Sequence, residues 1–262
     1  MKIHVSLLIG LSAGVFGGLV GLGGGVVMIP LMVGLGRLGQ HQAHGTSLVA
    51  LVFTGISGAV TYALKGAVDV AASLLLAVTA VATARAGAHY AHALPEWRLK
   101  RSFGVFLIAI SLLLLSRPYL SGLFNPFTGW GKVVVLLITG IFTGFLSGMM
   151  GIGGGTIMVP SMVLLTGLSQ YTAQGSSLLS MVPAGTVGAF THWRLGNVNS
   201  SLLPGLVPGI FIGTYLGGSL ALLLPEGALR VIFALVLIWT GMRYVRARHP
   251  EEPKEAMQGS GI

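Results

Sequence analysis

Apolar residues fall in eight long runs, and their lengths predict an all-α chain. The first half has Val5–Gly36, Gly45–Leu64, Val70–Ala88 and, from about its first arginine, Arg98–Ser116. The second half has Val133–Thr166, Gly175–Trp193, Ser201–Leu224 and Ala228–Tyr244. Six of these are near the roughly 20 residues a helix needs to cross a bilayer. The run Val5–Gly36 is not. At about 1.5 Å per residue it would make a helix of about 48 Å, too long for one crossing and too short for two with a turn. A cluster of glycines near its middle disfavours helix. The pattern predicts a broken element there, either a re-entrant hairpin or a pair of short spans.

The break occurs twice. Residues 12–33 read SAGVFGGLVGLGGGVVMIPLMV and residues 142–163 read FTGFLSGMMGIGGGTIMVPSMV. Each copy holds a Gly-x-Gly-Gly-Gly run (Gly21, Gly23, Gly24, Gly25; Gly151, Gly153, Gly154, Gly155) and a proline five residues on, Pro30 and Pro160. The same offset pairs Gln40 with Gln170, Gly45-Thr46-Ser47 with Gly175-Ser176-Ser177, and Leu94-Pro95-Glu96 with Leu224-Pro225-Glu226. Coincidences of this density at one offset indicate a duplicated unit. The organisation expected is a first repeat over 1–116, a Pro/Gly/aromatic linker over 117–131, a second repeat over 132–245 and a charged tail over 246–262. The N-terminus looks superficially like a signal peptide, but its duplicate lies at mid-chain, so it is read as a structural span.

Composition turns these runs into membrane spans. Only 8% of residues are charged, 53% are hydrophobic and the mean hydropathy is +0.87. A soluble domain is about a quarter charged, so most of this surface cannot face water. The absence of cysteine excludes thiol chemistry, disulfides and thiolate metal sites. The formal charge of +9 is carried by loops between apolar runs, which reads as positive-inside bias rather than nucleic-acid binding.

If each broken run enters and leaves on one side, one face collects ten basic residues, among them Arg37, Arg98, Lys100, Arg101 and Arg194, and the other four: Lys65, Arg117, Lys132 and Arg230. If each run crosses once, the split is nine to five. The first arrangement is favoured. It gives inverted repeats, each a glycine-broken helical hairpin plus about three transmembrane helices, with both termini and the 89–101 loop cytoplasmic and 65–69 and 117–131 outside.

Inverted breaks would face each other near the midplane, and the helices starting at Gly25 and Gly155 would offer N–H groups and positive dipole ends there. All six carboxylates lie in loops, at helix starts or in the tail, so a cation site or carboxylate proton relay finds no candidate within a span. Glu96 and Glu226 follow prolines and read as helix-start residues. The candidate substrate-binding set is Gly23, Gly24, Gly25, Thr46, Ser47, Arg85, Gly153, Gly154, Gly155, Thr156, Ser176 and Ser177, with Gln40, Gln170 and Gln174 flanking. Arg85 is either a charge on the anion path or a residue snorkelling to the interface. Gly14, Gly18 and Gly21 read as helix-packing glycines. The pairs His41/His44 and His89/His92 have spacing that can ligate a metal, but interfacial histidines are commoner. Ser147 in GFLSG has no nucleophile motif around it and no histidine that can be placed beside it.

The paired GLGGGVVMIP and GIGGGTIMVP motifs, each followed by G[TS]S and later by LPE, resemble the sulfite exporter TauE/SafE family over nearly the whole chain up to about residue 245. The resemblance implies a secondary transporter of the inner membrane, not an enzyme, that exports sulfite, sulfonates such as sulfoacetate, or related small anions without a cofactor or metal. Carried over by position, the matching residues are the triple glycines, Pro30, Pro160, Thr46, Ser47, Ser176 and Ser177. Its partners would be the small anion and the lipid bilayer, with a homodimer a compatible assembly. An importer of similar anions and a metal-binding membrane protein using the His pairs are the alternatives.

Overall fold

The computed structural model describes residues 3–90, 96–117, 125–150 and 153–246. Residues 247–262 of the charged tail and 118–124 of the inter-repeat linker lie outside them. The described chain is all helical, with one element order run through twice. α1 (Ile3–Val20), α2 (Gly25–Gly34), α3 (Gln40–Ala63), α4 (Val70–Tyr90) and α5 (Glu96–Ser116) form the first series. α6 (Gly129–Met150), α7 (Gly155–Leu165), α8 (Gln170–Arg194), α9 (Leu203–Leu223, after a 3-10 turn at Ser200–Leu202) and α10 (Glu226–Val245) form the second. Among the described residues six helices, α1, α3, α4, α6, α9 with its leading turn, and α10, are long and apolar enough to cross a membrane.

Both broken runs are hairpins. Helix α1 stops where Gly21, Gly23 and Gly24 take φ of +71°, +85° and +78°, a region that glycine enters at little cost. The chain then doubles back. A Cβ placed on Gly24 would overlap the Ala13 carbonyl, and Ile9 and Ala13 of α1 share one buried cluster with Met28 and Met32 of α2. The second hairpin closes on itself, because Phe127 N–H, just before α6, donates to the Leu165 carbonyl at the end of α7 (2.8 Å). At about 1.5 Å per residue, α2 and α7 are about 15 Å long, half the bilayer core.

Glycines set the packing of the long helices. α1 runs parallel to α9: Gly10 meets Leu206, Gly14 meets Ile210, Gly18 meets Thr214 and Gly218, and Gly217 meets Val15. α6 runs parallel to α4 in the equivalent way, with Gly140 on Leu76, Gly144 on Ala80 and Gly148 on Ala84. Backbones approach directly at these points, as small residues allow between membrane helices. Gly14 and Gly18 therefore pack as expected, whereas Gly21 belongs to the break and its missing side chain admits Gln174.

The counterpart helices α3 and α8 cross antiparallel at the centre: Leu48 lies against Gly188, Val52 against Gly185, and Leu178 against Gly55 and Gly58. α5 and α10 are also antiparallel, with Gly104 beside Val245 and Ile108 beside Gly241. Helices α3 and α8 begin earlier than the apolar runs suggested, at Gln40 and Gln170. Their first turns are polar, so hydropathy does not register them.

Candidate functional site

The two glycine breaks meet. A Cβ on Gly153 would lie 2.5 Å from the Leu22 carbonyl oxygen and 3.2 Å from Leu51 Cδ2. One on Gly23 would strike Leu51 and come within 3.1 Å of Met181 Sδ, and one on Gly155 would strike the Gly21 carbonyl and lie 3.0 Å from Met181 Cε. Leu51 and Met181 are counterparts near the middle of α3 and α8, so the breaks adjoin at half-height. Gly23, Gly24, Gly25, Gly153, Gly154 and Gly155 are thus brought together, all buried.

Ending α1 inside the protein leaves its last carbonyls without intrahelical donors. Side chains of the central helices supply them. The Tyr62 hydroxyl donates to the Gly18 carbonyl (3.0 Å) and to Gln174 Oε1 (2.7 Å), its one proton shared between the two, and the Ser177 hydroxyl donates to the Gly21 carbonyl (2.9 Å). In the second half His192, the counterpart of Tyr62, places Nε2 3.3 Å from the Gly148 carbonyl. The half-helices start with donors to spare: the first intrahelical bonds of α7 run from Ile157 and Met158 to the Gly154 carbonyl, so the N–H groups of Gly155 and Thr156 have no partner within the helix. The same holds for Gly25 and Val26 in α2.

Beside the second break lie two narrow crevices. One is bounded by Thr143, Ser147, Gly153, Gly154, Met181 and Gly185. Its neighbour shares Thr143, Ser147 and Gly153 and adds Thr156. The Thr143 hydroxyl is buried and without a hydrogen-bond partner among the described residues. Among the described residues no carboxylate lines either crevice.

The remaining sequence candidates Thr46, Ser47, Arg85 and Ser176 line neither crevice. Thr46 Oγ1 accepts from Asn199 N–H (2.9 Å), and Ser176 Oγ accepts from Asp69 N–H (2.8 Å), so both tie down loops at the ends of the central helices. Ser47 donates to the His44 carbonyl (2.8 Å), one turn back on α3. Arg85 is exposed on α4 and lines neither crevice. Among the described residues no group of three or more His, Asp or Glu side chains could hold a metal; His92 lies outside them.

At the loop before α4, Asp69 caps the helix through Ala72 N–H (2.9 Å) and pairs with Lys132 (2.8 Å). Partial burial pushes its pKa up, but the Ala72 hydrogen bond and the Lys132 ammonium outweigh it and hold the carboxyl below the usual range.

Sequence reasoning did not single out Thr143, which lines both crevices, and set Ser147 aside. The signal was there: only in the second copy of the motif do polar residues replace Ala13, Gly17 and Val26, as Thr143, Ser147 and Thr156.

A helical bundle that buries broken half-helices at its centre and exposes large apolar side chains around its outside, such as Leu74, Val78 and Leu220, is a polytopic membrane protein. The sulfite exporter TauE/SafE family model matches residues 6–244, and the chain belongs to that family. It is 29% identical to the probable membrane transporter protein YunE of Bacillus subtilis (strain 168), over 94% of this chain and 98% of YunE. It is 28% identical to a probable membrane transporter protein of Xylella fastidiosa (strain Temecula1), over 88% of each chain. YdhB of B. subtilis, with the same description, is 27% identical over 86% of this chain and 92% of its own. No solved structure matches. The protein is a transporter and not an enzyme.

Proposed function

We propose that the chain exports small sulfur-containing oxyanions of the sulfite or sulfonate type across the inner membrane, with both termini cytoplasmic, and binds them at the second glycine break. One observation carries the reading: among the described residues, the unpartnered Thr143 hydroxyl, Ser147 and the starting N–H groups of α7 converge on a crevice that no carboxylate lines. Hydrogen-bond donors and a positive dipole end suit an oxyanion and repel a cation. Gly24, Gly25, Thr46, Ser47, Ser176 and Ser177 shape or brace the paired breaks in this scheme, and Arg85 stands outside it as an interfacial charge. The two repeats are inverted. Support comes from the central counterpart pair, since helices related by an axis along the membrane normal would run parallel, whereas α3 and α8 run antiparallel. The family description supports sulfite as the substrate class and export as the direction.

The test is flux. Purified protein in liposomes should carry radiolabelled sulfite or sulfoacetate saturably, with mutual competition, and inorganic cations should not compete. Absence of flux for every member of a sulfur oxyanion panel would overturn the reading.

A further inference from the structure

The two halves share a sequence pattern but differ in exposure at equivalent positions. On α3, Gln40 is exposed and His44 half-buried. Their counterparts at the start of α8, Gln170 and Gln174, are both 0% exposed. Burial leaves both amide atoms of Gln170 and the Nε2 of Gln174 without partners among the described residues. A buried amide without hydrogen bonds is costly. Residues 170, 174 and 177 are spaced i, i+4, i+7, so the two glutamines lie on the face of α8 that carries Ser177 to the break.

A clamp closes that end. Glu226, the first residue of α10, accepts from the Gln170 backbone N–H (2.9 Å) and from Arg230 (3.1 Å) through the same oxygen, Oε1. The opposite end is open, with Gln40 exposed and His44 half-buried in the first turns of α3. The larger crevice lies between the two ends, at the level of the breaks, since Leu51 and Met181 touch the breaks and also line it.

We infer that this conformation is open toward the α3 end and sealed at the α8 end, and that Gln170 and Gln174 line the other half of the anion pathway, exposed when the Glu226 clamp releases. The inference rests on the transport reading above and names its second gate. When the halves exchange conformations, α8 takes the exposure α3 has here, and the Gln170 amide and the Gln174 Nε2 group face water and the passing oxyanion. Gln170 and Gln174 then act as donors along the route, and Glu226 as a positioning residue.

The chain has no cysteine, so single cysteines report directly. In right-side-out vesicles, Gln174→Cys should react with a membrane-impermeant methanethiosulfonate added outside. Leu178→Cys, equally buried but packed against Tyr62 and Ala67, should not. Adding Glu226→Gln to Gln174→Cys should raise the labelling rate several-fold, and sulfoacetate, which unlike sulfite does not react with the reagent, should change it at saturating concentration. No labelling of Gln174→Cys, or equal labelling of Leu178→Cys, overturns the gate. Labelling that responds to Glu226→Gln but not to sulfoacetate leaves the gate standing and counts against the proposed substrate instead.

Discussion

Replacing Thr143 with valine keeps the side chain's shape and removes only its hydroxyl. That hydroxyl is buried and without a partner among the described residues, a state that costs about 1–3 kcal/mol for a polar group taken from water without a partner. Thr143→Val should therefore raise the stability of the empty protein by about 1 kcal/mol or more. The bound state responds in the opposite sense. A hydrogen bond to a charged group contributes about 1.5–3 kcal/mol, and each 1.4 kcal/mol is tenfold in affinity. Sulfite should bind roughly ten- to a hundredfold more weakly. Thermal unfolding in detergent, with and without sulfite, reads both effects in one experiment: a higher melting temperature without ligand and a smaller shift with it. A sulfite affinity within about twofold of the parent would refute the proposed role. A less stable empty protein would show that the hydroxyl already has a partner at rest, which removes the reason for placing the anion there.

Three further outcomes follow from the geometry. Tyr62→Phe strips the Gly18 carbonyl and Gln174 of their shared donor and should destabilise the protein by about 1–3 kcal/mol, seen as a lower melting temperature with unchanged expression. Asp69 has a depressed folded pKa, so its contribution to stability is fully present above the unfolded value of about 3.9 and is lost as pH falls through the lower folded value. Asp69→Asn should flatten that acid limb of the melting temperature profile, and an unchanged profile would remove Asp69 as its source. Gly66 and Gly196 sit at turn tips with open space around them; reporter fusions should place Gly66 outside and Gly196 in the cytoplasm, and a shared side for both would end the inverted-repeat reading.

The duplicated glycine motif made the architecture legible in one dimension, because a triple glycine and a proline that recur at one constant offset are the mark of a repeated unit. Hairpin versus paired short spans was not legible. That choice depends on Gly24 finding room against Ala13 and on the Phe127–Leu165 hydrogen bond, contacts made across the turn. The first turn of α8 was not legible for a related reason: Gln170 and Gln174 lower its hydropathy, so the apolar run began only at Gly175, although Ser176, Ser177 and Ser180 just beyond find partners inside the bundle. Thr46 and Ser176 show the converse. A hydroxyl beside a glycine motif suits a ligand or a loop equally well when only its neighbours in sequence are known, and here each hydroxyl accepts from a loop N–H. Thr143 differed from its copy in a way that was visible, but duplication directs attention to what repeats rather than to what breaks the repeat.

The exchange of partners between halves has a consequence for biogenesis. Helix α1 packs along its glycine face on α9, and α6 packs on α4, so neither half contains the surface that its own first helix needs. During synthesis α1 enters the bilayer long before α9 exists, and its Gly10, Gly14 and Gly18 face lipid or a chaperone until the chain is nearly finished. The first half expressed alone should therefore insert but remain unassembled and be cleared by proteolysis. Co-expressed with the second half as a separate chain, it should be rescued, since what holds the molecule together is the interlock and not the linker.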